Sequence, residues 1–64
     1  MKLEELLNIT NNFANIVITD GLGQIVYEGK KHQIWSLDEK ILERLLNAKV
    51  YDITSLGSIR IRIY

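Results

Sequence analysis

The sequence predicts an α+β fold: an α-β-β-α-β-β chain with a four-stranded antiparallel sheet and one or two helices packed on a single face. Three observations carry this reading. Two segments place apolar residues at helical spacing, Leu3/Leu6/Leu7 and Leu37/Ile41/Leu42/Leu45/Leu46. Each is followed by two strand-like segments separated by a glycine-containing turn. With no Pro and no Ser- or Gly-rich stretch long enough for a linker, residues 1–64 read as one domain.

The first helix has Leu3, Leu6 and Leu7 on one face and Lys2, Glu4, Glu5 and Asn8 on the other. Its early carboxylates suit the positive end of the helix dipole. Four Asn residues between Asn8 and Asn15 compete for backbone hydrogen bonds, so the helix should fade near Asn11. Ile16–Thr19 is β-branched throughout and predicts a strand. Asp20-Gly21-Leu22-Gly23 predicts a turn, and Gln24–Glu28 the return strand. Ile16 and Ile18 should share one face, as should Ile25 and Tyr27, with Val17 and Val26 on the opposite side. Gly29 permits a bend or bulge.

Lys30–Gln33 is a polar connector or an extension of the second strand. Ile34 and Trp35 should anchor the chain ahead of the next helix. Ser36-Leu37-Asp38-Glu39 has the spacing of a capping box, with Ser36 and Glu39 satisfying each other's amides, and predicts a helix over 37–46. Asn47 is a suitable stop. Lys49–Ile53 then predicts a strand, Thr54–Gly57 a turn and Ser58–Tyr64 the last strand. In that strand Ile59, Ile61 and Ile63 alternate with Arg60, Arg62 and Tyr64. The Ile row should face the helices and the Arg/Arg/Tyr row should face away. The expected core is Leu6, Ile18, Ile25, Ile41, Leu42, Leu45, Ile59, Ile61 and Ile63.

Composition narrows the function classes. The chain has no Cys, hence no disulfide, thiol nucleophile or Cys-based zinc site. A single His excludes a multi-histidine metal site, and neither a metal nor a cofactor is expected. Eight basic and eight acidic residues cancel, which disfavours a general nucleic-acid binder. No apolar run approaches the roughly 20 residues that span a bilayer, and no secretion signal pattern opens the chain. A soluble protein of the cytoplasm, without a membrane partner, is expected. A core of this size rarely supplies more than about 3–5 kcal/mol, so a homodimer is expected ahead of a monomer.

Catalytic signals are explained by structure. His32 has no sequence neighbour that would make it a general base and reads as a loop histidine. Glu4 and Glu5 belong to the first helix, Asp20 to a turn, and Asp38 and Glu39 to a cap. Gly21-Leu22-Gly23 lacks the third glycine, the lysine and the following helix of a phosphate-binding loop. An enzyme is therefore not expected. Binding fits the remaining residues better. Tyr and Arg are enriched where proteins meet, and Arg60, Arg62, Tyr64 and Tyr51 are the candidate partner-binding residues, with Lys30 and Lys31 peripheral. Two alternatives use the same face. One is a nucleic-acid or nucleotide-binding module that stacks bases on the tyrosines. The other is a structural homodimer.

The run Ile16-Val17-Ile18-Thr19-Asp20-Gly21, the segment Gln24–Lys30, the stretch Leu45-Leu46-Asn47-Ala48-Lys49-Val50 and the closing Ile59-Arg60-Ile61-Arg62-Ile63 resemble short proteins encoded by phages and prophages of low-GC Gram-positive bacteria. The similarity covers most of the chain. It implies an accessory protein that binds and inhibits a host protein, with defence systems such as CRISPR among the candidate targets. It has no defining motif by which functional residues could be carried over.

Overall fold

The computed structural model describes the backbone of residues 1–64 and every side chain except that of Leu56. Helix α1 spans Leu3–Asn8 and buries Leu3, Leu6 and Leu7. At its start, the Lys2 amide donates to Glu5 Oε1 at 3.1 Å. It stops at Asn8, earlier than the asparagine run suggests. The Thr10 hydroxyl donates to the Leu6 carbonyl at 2.7 Å, which also accepts the Ile9 amide at 3.2 Å at the helix end. Asn11 Oδ1 then accepts the Phe13 amide and turns the chain toward the sheet.

Strands β1 (Asn15–Thr19) and β2 (Ile25–Lys30) form an antiparallel hairpin. A 3-10 segment, Lys31–Ser36, and helix α2, Glu39–Asn47, lead to the second hairpin of β3 (Val50–Leu56) and β4 (Ser58–Ile63). The strand order is β2-β1-β4-β3. The sheet is mixed, not wholly antiparallel as expected: β1 and β4 run parallel at its centre, with Ile16 opposite Ile59 and Ile18 opposite Ile61. The physical reason is the crossover. The segment from Lys31 to Asn47 carries the chain back across one face, so β3 enters in the same direction as β2. Each hairpin reverses once, so β4 then runs with β1. This arrangement also places the two most isoleucine-rich strands in the middle, where they lose the most water.

The core lies between the sheet and the helices. Ile16, Ile18, Ile61 and Ile63 meet Leu3, Leu6, Leu7, Ile34 and Leu45, with Leu42 and Ile59 partly buried beside them. Two expected core residues are corrected. Ile25 is 58% exposed, because the β1–β2 register jumps from Ile18↔Tyr27 to Thr19↔Ile25. Val26 is the extra residue of that bulge, and the slip moves Ile25 to the face it would otherwise avoid. Ile41 is 50% exposed on α2, whose buried contact is made by Leu45.

The start of α2 also differs. Ser36 does not cap it: its hydroxyl donates to the Gln33 carbonyl at 2.7 Å and closes the 3-10 segment. Leu37 is extended, and Asp38 is the cap, with Oδ2 accepting the Lys40 amide at 3.2 Å. Of the anchor pair, Ile34 is fully buried and Trp35 is 51% exposed. The expected turn over 54–57 is strand up to Leu56, and Gly57, at φ 80°, makes the reversal. Among the described residues, no helix is long and apolar enough to cross a membrane.

Candidate interaction surface on the open sheet face

Side chains alternate across a strand, so the residues between the buried isoleucines point to the sheet face that the helices leave uncovered. On β1 these are Asn15, Val17 and Thr19, and on β4 they are Arg60 and Arg62. Thr54 and Asp52 of β3 lie opposite Arg60 and Arg62. Val17 is buried even on this outer side. Its register neighbours are Glu28 and Arg60, whose long side chains can lay their aliphatic stems over it.

One irregularity organises this face. The β3–β4 register passes from Val50↔Ile63 to Asp52↔Arg62, so Tyr51 is an extra residue in β3. The bulge turns its ring to the side of Arg62, whose Cζ lies 5.8 Å from the ring centroid. Tyr64 completes the group, edge-on to Tyr51 with centroids 5.4 Å apart and planes at 84°. The sequence-predicted residues Arg62, Tyr51 and Tyr64 are thus brought into one cluster. Arg60 lies two residues along the same strand, on the same face.

The β1–β2 turn forms one wall beside this cluster. Asp20 Oδ1 accepts the Leu22 amide at 2.8 Å and the Gln24 amide at 3.0 Å. The Gly23 amide donates to the Asp20 carbonyl at 3.0 Å, and Gly23 sits at φ 82°, where a side chain is disfavoured. The parallel pairing of β1 with β4 sets this turn beside Arg62 and Tyr64. Two depressions result. One of about 250 Å³ lies among Gly21, Tyr51, Arg62 and Tyr64. The other, about 220 Å³, is lined by Thr19, Gly23, Asp52, Thr54, Arg60 and Arg62. Arg62 borders both. Thr19, Thr54 and Asp52 were not legible as site residues, because only the parallel register brings Thr19 to Arg62 and only the long β3 brings Thr54 to Arg60. Asp52 Oδ1 accepts the Ile53 amide at 2.9 Å, so that carboxylate oxygen is engaged by backbone.

The two lysines do not join the cluster. Lys30 is exposed at the end of β2, opposite Asn15. It stands two strands from β4 and several residues along the sheet from Arg62. At about 4.8 Å per strand and 3.3 Å per residue that is on the order of 15 Å. Lys31 is only 7% exposed, and its ammonium donates to Asn12 Oδ1 at 2.9 Å. Its amide donates to the Ala14 carbonyl at 2.9 Å. Lys31 is therefore a clamp between the 3-10 segment and the loop before β1, not a surface charge.

His32 is part of the same clamp. Its Nδ1 lies 2.9 Å from the Asn12 carbonyl. A carbonyl only accepts, which assigns the proton to Nδ1 in the neutral ring. Its ring packs against Phe13 with centroids 5.3 Å apart. Among the described residues, no group of three or more His, Asp or Glu side chains is placed to hold a metal ion. No family model, no curated protein and no solved structure matches this chain.

Proposed function

We propose that this chain is a non-catalytic protein-binding module that docks its open sheet face, centred on Arg62, onto an acidic surface of a partner protein and occludes it. The observation that carries the reading is the Arg62–Tyr51–Tyr64 cluster on the uncovered face. A guanidinium already oriented on a ring loses less freedom when it meets a carboxylate, and the two tyrosines supply contact area at low entropic cost. Arg60, bordering the smaller depression, adds a second donor fork for the same partner. The resemblance to phage-encoded proteins supports a host protein as the partner.

The test compares the tagged native chain with an Arg60→Glu/Arg62→Glu variant in capture from bacterial lysate, read by mass spectrometry at low and moderate salt. The expected result is one acidic protein held by the native chain at both salts and lost by the variant, while circular dichroism shows both folded. Equal capture by a folded variant would overturn the choice of face. Capture of nucleic acid alone, falling steeply as salt rises, would replace the reading with a nucleic-acid module.

A further inference from the structure

We infer that β3 is a pairing edge, and that its occupant is β3 of a second copy of this chain, antiparallel about a two-fold axis at Thr54. The two edges of the sheet are built differently. On β2, a bulge at Val26 breaks the ladder, Glu28 and Lys30 carry charge, and the Tyr27 hydroxyl occupies the Lys30 carbonyl at 2.6 Å. Such features discourage strand addition. On β3, the register with β4 is regular from Asp52 to Leu56, and residues 50–56 contain no Lys, Pro or Gly.

This edge is already used for pairing at its start. The Val50 amide donates to the Met1 carbonyl at 2.9 Å, the Leu3 amide donates to Ala48 at 2.8 Å, and Lys2 bridges Lys49. The chain then leaves into α1, so the added segment ends there. Beyond it, the Ile53 amide donates to its own neighbour's carboxylate, Asp52 Oδ1, instead of to a strand. Ile53 is 43% exposed at this margin.

Alternation gives Ser55 the same outward direction as Ile53. A two-fold at Thr54 sets Ile53 opposite Ser55 of the second copy and Ser55 opposite its Ile53. Both are hydrogen-bonded pairs, with Thr54 facing Thr54 between them. The Ile53 amide then passes from Asp52 to the second copy's Ser55 carbonyl. Asp52 is the one charge in 50–56, and in this register the two Asp52 residues lie four positions apart, so like charges do not meet. The open window is also short and centred on this position, which suits a self-complementary strand better than a long peptide that would run into Met1–Leu3. A chain this small benefits from burying the edge.

The proposal is independent of the partner reading, and its test reads mass and cross-linking instead of capture. Sedimentation should give the native chain twice its 7.4 kDa mass, and Ser55→Pro, which removes an outward amide, should halve that with unchanged circular dichroism. Thr54→Cys should form an intermolecular disulfide in a glutathione buffer about tenfold faster or more than Glu28→Cys on the other edge, because pairing raises the local thiol concentration. A native chain that sediments as a monomer, a folded Ser55→Pro dimer, or faster cross-linking at position 28 would each overturn it.

Discussion

Tyr51 reaches Arg62 because β3 holds one residue more than β4 opposite it. Counted from Ile53, which lies opposite Ile61 on the helix side, strict alternation would set Tyr51 on the helix side too. With the bulge, the ring lies 5.8 Å from the Arg62 guanidinium carbon. The stack therefore depends on the backbone as much as on the two side chains, and it is the feature on which the proposed recognition by this face turns.

Arg62→Lys keeps the charge and loses the planar stack. Against an acidic partner of the proposed kind, it should weaken binding by roughly tenfold, about 1.4 kcal/mol. Tyr51→Ala should do the same. The double variant should cost less than the sum, because each single change already removes the shared contact. Isothermal titration of the four proteins measures the coupling, and strict additivity would show that the stack plays no part in recognition.

The bulge at Val26 predicts unequal costs for two isoleucines that look alike in the sequence. Ile61→Ala empties a fully buried site and should cost about 2–5 kcal/mol. That is comparable to the whole stability of a core this size. Ile25→Ala should cost less than about 1 kcal/mol, since most of its side chain is already in water. Urea unfolding of both variants decides the point.

Asn12→Ala should destabilise the fold by about 1–3 kcal/mol, because it strands the Lys31 ammonium in a buried site without its acceptor. Lys31→Met added to Asn12→Ala should recover most of the loss, since removing both polar partners leaves nothing unsatisfied. If Asn12→Ala alone is neutral in thermal unfolding, the clamp contributes nothing to stability.

Asp20→Ala removes the acceptor for two turn amides and should cost about 1–2 kcal/mol. Because this turn walls the depression beside Arg62, partner affinity should fall as well. Denaturant titration and binding measured on the same sample separate the two effects.

Burial raises the Tyr27 hydroxyl above its ordinary pKa of 10.0. The protonated hydroxyl also donates to the Lys30 carbonyl. A raised folded-state pKa means that the unfolded chain loses this proton first as pH rises. The contribution is complete below pH 10 and is lost as pH climbs from 10 through the folded-state value. Tyr27→Phe should show a flatter decline in stability than the native chain over that alkaline window, measured by urea unfolding at fixed pH steps. Parallel curves would remove Tyr27 as a source of the pH dependence.

Much of the site was legible before the structure. Strict alternation in Ile59–Tyr64 assigned Arg60 and Arg62 to the outer face, and both lie there. The burial of Lys31 is not legible in the sequence, because it depends on Asn12, nineteen residues earlier, and no local pattern carries that contact. The role of Ser36 is hidden for a related reason. Its spacing to Glu39 suits a cap, but the preceding 3-10 segment offers the Gln33 carbonyl to the same hydroxyl.

Near-neighbour chemistry sets the order of helices and strands, the glycine-bearing turns, and the face on which each isoleucine of β4 lies. Side-chain periodicity and turn chemistry act over a few residues, so a single chain displays them. The tertiary structure alone decided the parallel pairing of β1 with β4, the two bulges, and the meeting of Thr19, Tyr51 and Arg62. Register between strands is set by how the whole sheet packs against the helices, and a slip of one residue sends a side chain to the other face. Such a slip moved Ile25 into water and brought Tyr51 to Arg62.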